Sequence, residues 1–149
     1  VLEFRAQEGA KLAVDFTNRI QSILQFLEEI EQHDPRRVAA VRDRITKHVE
    51  ELLHDHQIDK NRHEQELIYY LEKLDITEEK VRLKAHCDYF LETMDLAESQ
   101  GKKLSFIGQE IGREINTIGS KANDATMQRA VVQMKDELEK IKEQVLNVL

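Results

Sequence analysis

Apolar residues recur at steps of three and four from Leu12 to Val148, and one proline, Pro35, and five glycines are all the breakers in 149 residues. Steps of three and four follow one face of a helix, whereas a strand alternates every two residues. A chain so poor in breakers is ill suited to the many tight turns of a β fold. The expectation is an all-α fold, a bundle of long helices folded back as antiparallel hairpins. Trp is absent and aromatics make up 5% of the chain, so the core must be mostly Leu, Ile and Val. The length suits one domain that buries such a core.

The first stripe, Leu12, Phe16, Ile20, Ile23, Leu27 and Ile30, predicts a helix over about Phe4–Glu31. Gln32-His33-Asp34-Pro35 is predicted to end it, because Pro lacks the N–H a helix interior needs yet can open the next helix. Val38, Val41, Ile45, Val49 and Leu52 mark that second helix, which His54-Asp55-His56-Gln57 and Asp59 close. A third starts near Asn61 and carries Leu67, Leu71 and Leu74. Asp75, three residues before Glu78, fits a capping box. The helix it opens bears Leu83, Cys87, Phe90, Met94 and Ala97 and stops at Ser99-Gln100-Gly101. The next runs from about Lys103 to Ile118 on Leu104, Ile107, Ile111, Ile115 and Ile118, with Gly119 or Asn123-Asp124 as its interruption. The last, Asp124–Asn147, has Met127, Val131, Met134, Leu138, Ile141, Val145 and Val148 in strict heptad alternation. Such a seam serves intramolecular packing or an oligomer contact equally well. The organisation read from this is a single domain over 1–149, with a helical hairpin arm at 1–60 and a motif-bearing region at 61–149.

A net charge of −7 argues against a protein that coats DNA by neutralising phosphates, though it leaves room for a local basic patch. There is no Gly-rich phosphate loop, no Cys/His zinc spacing and no nucleophile elbow. The lone Cys87 sits on an apolar stripe and reads as buried filler. Without a signal peptide or long apolar run, the chain reads as a soluble, cytoplasmic protein that does not meet a membrane. It begins at Val1 rather than Met and reads as part of a longer protein.

Two polar faces can carry chemistry. Opposite the apolar stripe of the Leu104–Ile118 helix lie Gln109, Arg113, Asn116 and Ser120, and beside them Glu110, Glu114, Thr117 and Lys121. Glu110 and Glu114, one turn apart, either converge on a cation or form a wet surface with Arg113 as counter-charge. The helix opened by Asp75 presents Glu79, Arg82 and His86, and a carboxylate with an imidazole suits Mn, Fe, Zn or Ni better than Ca. The third helix adds Arg62 and Glu66, one turn apart. Carboxylates and a His projecting inward from several helices would make a bundle-core metal site. Lys102, Lys103, Arg113 and Lys121 are the cations near this face that can meet phosphate, and Gln or Asn can reach a base edge or a 2′-hydroxyl. No stacking aromatic accompanies them in the sequence.

The run Gly101-Lys102-Lys103-Leu104-Ser105-Phe106, Gln109-Glu110, Arg113-Glu114, Asn116-Thr117 and Ser120-Lys121 resembles the signature of the C-terminal domain of the YicC/YloC family. Arg62, Glu64-Gln65-Glu66, Asp75-Ile76, Glu78-Glu79, Arg82-Leu83 and His86 follow the same domain in order. Val131-Val132, Lys135, Glu139, Lys142-Glu143-Gln144 and Asn147 resemble its closing helix, and Arg5 with Glu8-Gly9 its linker. The resemblance implies a cytoplasmic, hexameric, divalent-metal-dependent (Mn, Mg or similar) endoribonuclease of a stress-response family, acting on structured or small RNA. It implicates Glu79, His86, Glu110 and Glu114 as metal or acid/base groups and Glu66 as a further metal ligand. Arg62, Arg82, Gln109, Arg113, Asn116 and Lys121 are implicated in binding RNA or holding the site. Ser105 stands where the family usually has Asp. Gly112, replacing a usual Asn, can admit a close helix neighbour beside Gly108.

These groups support either a metal-activated water attacking the phosphodiester or attack by the RNA 2′-hydroxyl with His86 as base. The rival readings are a non-catalytic adaptor that hands RNA to another decay nuclease and a purely structural oligomerisation domain.

Overall fold

A computed structural model describes residues 2–53, 60–94, 101–122 and 124–146, without the side chains of 2–8, 52–53, 60 and 63. Every described segment is built on helix: α1 Leu2–Leu53, α2 Lys60–Leu74, α3 Thr77–Met94, α4 Gly101–Lys121 and α5 Ala125–Leu146. The expected stops at His54–Asp59 and Ser99-Gln100, the Arg5, Glu8 and Leu52 side chains, and Ala97, Asn123, Asn147 and Val148 lie outside what is described.

The expected break at Gln32–Pro35 does not occur. α1 is one helix of 52 residues with Pro35 inside it, so the first 53 residues form no hairpin. Pro35 deprives only the Glu31 carbonyl of its partner, its fixed φ suits a helix, and the residue is exposed, which leaves its ring room. Its neighbours hold the segment in place. Asp34 and Arg37 are 8% and 5% exposed, and the Arg37 Nε donates to Asp34 Oδ1 at 2.9 Å. Arg37 Nη2 donates to the Leu74 carbonyl at 2.7 Å and Nη1 to the Lys121 carbonyl at 3.3 Å. Those carbonyls end α2 and α4, where no intrahelical donor remains, so one guanidinium caps two helices. Lys80 Nζ reaches Asp34 Oδ2 at 3.3 Å and brings α3 into the same knot.

The N-terminal half of α1, with α3, α4 and α5, shares one core. Phe16, Ile20, Ile23, Leu27 and Ile30 are all buried, and Phe16 meets Phe90 of α3 edge-on with ring centroids 5.6 Å apart. Leu104, Ile107, Ile111, Ile115 and Ile118 of α4 are buried as their spacing predicts. The heptad stripe of α5 is buried in the same core from Met127 to Val145, against α1 and α4. That decides for intramolecular packing; the stripe is not free to join copies. α2 packs against α1. Cys87 is filler as expected, and burial with the nearby Asp88 charge pushes its thiol up to about 12.

α4 runs through Gly119 to Lys121, because that glycine serves a close approach and not a stop. A Cβ at Gly119 would lie 3.0 Å from Val131 Cγ1, and one at Gly112 would lie 3.1 Å from Leu138 Cδ2. Gly112 therefore admits a neighbour as expected, whereas a Cβ at Gly108 would meet nothing within 4 Å among the described residues of other elements. The chain then turns at Ala122. Asp124 Oδ1 accepts from the Thr126 and Met127 amides at 2.9 and 3.2 Å and caps α5.

Candidate active site

Asp75 positions the site by starting α3. Its Oδ1 accepts from the Thr77 amide at 3.0 Å and from the Thr77 hydroxyl, hydrogen bonds that hold its carboxyl below the ordinary 3.8. The expected capping box is only half formed. Glu78 does not reach back; it pairs with Arg82 at 3.2 Å, since at i,i+4 a guanidinium is the stronger partner.

From that start α3 lies antiparallel to α4. Lys121 Nζ donates to the Asp75 carbonyl at 3.0 Å and to Glu79 Oε1 at 2.8 Å. One turn along, Arg82 Nε donates to Glu114 Oε1 at 3.0 Å, and its Nη2 lies 3.7 Å from Glu79 Oε1. The side chains of Glu79 and Glu114 are only 5% and 7% exposed, while Arg82 and Lys121 reach them from the solvent side. Two buried carboxylates are thus balanced by two cations, the arrangement that makes burial of charge tolerable. Glu114 and Glu78 in turn favour the charged form of Arg82. Glu79 Oε2 is buried and has no partner.

The register continues. His86 is one turn beyond Arg82 on α3, and Glu110 one turn before Glu114 on α4, so the antiparallel pairing sets them at the same level. Both are half-buried, and neither side chain has an ion-pair or hydrogen-bond partner among the described residues. Gln109, Arg113 and Asn116 are exposed on the adjoining face of α4. The Thr117 and Ser120 hydroxyls donate back to the Arg113 and Asn116 carbonyls at 3.0 Å, so they decorate the helix and do not project a nucleophile.

Glu66 and Arg62 stand elsewhere. They pair with each other on α2 at 3.6 Å, with side chains 68% and 80% exposed. Among the described residues, no group of three or more His, Cys, Asp or Glu is placed to hold a metal ion unaided. Oε1 of Glu79 and of Glu114 are already met by cations. The donors left are Glu110, His86, Glu114 Oε2 and the orphaned Glu79 Oε2. Glu110 with His86 is a carboxylate-and-imidazole donor set, which suits Mn²⁺ better than Mg²⁺, and two such ligands would leave phosphate oxygens and water to complete the shell.

Sequence reasoning missed Asp34 and Arg37. With the helix broken at Pro35, Asp34 fell in the break and Arg37 at the start of the next helix. Continued through Pro35, the stripe Leu27, Ile30, Asp34, Arg37, Val41 keeps its spacing, and a polar pair on an apolar stripe was the available signal. It missed as well a groove beside Lys121, lined by Arg37, Val41, Arg44, Tyr70, Leu74 and Asp124, which the separation of these residues in sequence conceals.

No helix among the described residues is long and apolar enough to cross a membrane. The profile of a family described as "Endoribonuclease YicC-like, C-terminal" matches residues 30–149. A relative called "Probable endoribonuclease YicC" from Clostridioides difficile (strain 630) is 42% identical over 147 residues, 98% of this chain and 50% of its own length. Another of the same name, from Haemophilus influenzae (strain ATCC 51907 / DSM 11121 / KW20 / Rd), is 29% identical over 147 residues, 99% of this chain and 50% of its own. The chain spans about half the length of these curated relatives.

Proposed function

The chain belongs to the YicC-like endoribonuclease family, in whose C-terminal region its match lies, and we propose that the α3–α4 face is the cleavage centre of an endoribonuclease acting on structured or small RNA. The observation that carries this is the charge-balanced ladder Glu79–Lys121 and Arg82–Glu114, with Glu110 and His86 left unpaired one turn further on. A ladder whose carboxylate charges are balanced by Lys121 and Arg82, with an uncommitted carboxylate and imidazole beside it, is arranged for a cation that would meet a negatively charged substrate.

In this reading Gln109, Arg113 and Asn116 contact the RNA strand along the exposed side of α4, and Arg113 and Lys121 offset charge that develops on the phosphate. Arg82 and Glu79 hold Glu114 and Lys121 in place. Glu110 and His86 are the residues that would hold a divalent cation, Mn²⁺ or Mg²⁺, which when bound supplies Lewis acidity and an activated water. The other route uses no activated water: His86, half-buried and unpaired, takes the proton of the RNA 2′-hydroxyl as that oxygen attacks phosphorus. The P–O5′ bond then breaks to leave a 2′,3′-cyclic phosphate, and the departing 5′-oxygen takes a proton from solvent. Glu66 and Arg62 act, in the same reading, as an outlying contact on α2. A cytoplasmic location and a homo-oligomer, a hexamer by family likeness, complete the proposal, and light scattering reads the latter.

The test is incubation of end-labelled structured RNA with the full-length protein, with and without Mn²⁺ or Mg²⁺, beside Glu110→Gln. Cleavage that needs metal and disappears in the variant, with an unchanged melting curve, is the expected result. A 5′-phosphate end indicates activated water, a 2′,3′-cyclic phosphate the 2′-hydroxyl. A fully active Glu110→Gln protein moves the chemistry off this helix. Binding without cleavage makes the protein an adaptor for another nuclease.

A further inference from the structure

Beside the ladder, on the far side of Lys121, the C-terminal half of α1, the end of α2 and the α4–α5 turn enclose a groove lined by Arg37, Val41, Arg44, Tyr70, Leu74, Lys121 and Asp124. Its charges are unevenly committed. Arg37 is spent on Asp34 and two carbonyls, Lys121 on Glu79, and Asp124 on capping α5 and on His33 Nε2 at 3.0 Å. Arg44 is exposed and has no ion-pair partner among the described residues. Tyr70 is 44% exposed, and half-buried Val41 and Leu74 supply apolar wall.

From this we infer that the groove is a nucleotide subsite, in which one unpaired base of an RNA strand stacks on Tyr70 and its phosphate meets Arg44. The inference rests on the reading of the α3–α4 face as an RNA-cleavage centre. A flat ring with an apolar face and polar edge is what a half-exposed tyrosine over apolar wall accommodates, and an uncommitted guanidinium is what a phosphate needs. With Arg37 and Lys121 held by Asp34 and Glu79, Arg44 is the cation of the lining that is left to a phosphate on a chain of net charge −7. Lys121 lines the groove and touches Glu79, so a strand seated here runs directly into the ladder. Lys121 lies eleven residues from Glu110 on α4, about 16 Å at 1.5 Å per residue, so the subsite selects RNA with an unpaired nucleotide a few positions from the scissile one.

The experiment is fluorescence anisotropy of a labelled RNA hairpin by the full-length protein in EDTA, with probe integrity checked on a denaturing gel. Parallel probes carry a single abasic position at each loop nucleotide. Tyr70→Ala is expected to weaken binding on the order of tenfold, the usual worth of one stacked base, and Tyr70→Phe to restore it. One abasic position should weaken wild type equally and leave Tyr70→Ala indifferent. Arg44→Gln should lower the slope of log affinity against log salt by about 0.7, one phosphate on a single strand. Wild-type affinity in Tyr70→Ala, with RNA still cut, overturns the subsite and leaves the nuclease reading intact. Failure of wild type both to bind and to cut removes both. A change in oligomer mass without a change in RNA affinity assigns the groove to a second copy of the chain instead.

Discussion

Arg37 shows how much one buried side chain can organise. Its guanidinium satisfies Asp34 and the last carbonyls of α2 and α4, and the second of these belongs to Lys121, whose ammonium binds Glu79. Arg37→Ala is expected to cost about 3 kcal/mol in urea unfolding, because it leaves the buried Asp34 to Lys80 alone and removes the donors of two helix-end carbonyls. Arg37→Lys should recover only part, since one ammonium cannot reproduce the planar fork. The aspartates that start α3 and α5 give a second, pH-dependent expectation. Thr77 hydrogen bonds lower Asp75, and His33 with the Met127 and Thr126 amides lowers Asp124, both from an ordinary 3.8. A depressed carboxyl stabilises the fold above its unfolded value, and that stability is lost as pH falls through the folded value. Melting temperature should therefore drop below about pH 4, and the drop should be shallower in Asp124→Asn, whose side chain still caps a helix but no longer titrates.

Among the helices, α5 carries the sharpest expectation. Val131 and Leu138 are 1% and 3% exposed. Val131→Asp with Leu138→Asp introduces two unpaired buried carboxylates at several kcal/mol each, and the chain should lose its helical circular dichroism. An unchanged melt would put the stripe in solvent. The glycines of α4 separate two effects of the same methyl. At Gly108 nothing lies within 4 Å, so Gly108→Ala should stabilise by about 0.5–1 kcal/mol through helix propensity. At Gly112 the new methyl meets Leu138 at 3.1 Å, and Gly112→Ala should instead destabilise by about 1–2 kcal/mol. Chemical denaturation of the two variants side by side reads the difference in sign. The apolar stripes of α1, α3, α4 and α5 were legible in the sequence because burial against one core requires that periodicity. The continuity of α1 was not, because whether a proline ends a helix depends on its face and its neighbours' tertiary partners.

For the whole molecule, charge sets the limit. A chain at −7 whose groove and ladder hold most of their cations in ion pairs presents few cations to a polyanion. Since each phosphate contact adds to both affinity and salt dependence, these 149 residues alone should bind RNA more weakly than the full-length protein. Their salt slope should also be shallower. Anisotropy titrations at several salt concentrations measure both. Equal affinity and equal cleavage would place the whole function in this half.

The sequence by itself determined that the chain is helical, which residues of α3, α4, α5 and the N-terminal half of α1 form its core, and which polar residues share a face of α3 or α4. Those follow from the helical period and from apolar burial, and the family signature singled out the α3–α4 residues from the other polar faces. The stripes Val38, Val41, Ile45 of α1 and Leu67, Leu71, Leu74 of α2, by contrast, are only half-buried. Only the tertiary structure decided which polar faces meet. The antiparallel packing of α3 on α4 joined Arg82 to Glu114 and Lys121 to Glu79, yet left Glu66 on α2 paired with Arg62. It also turned the α5 heptad inward and set Tyr70 and Arg44 beside Lys121. A side chain's register along its own helix is local, but its partner is fixed by how the helices pack, and ion pairing between helices leaves no period in the sequence.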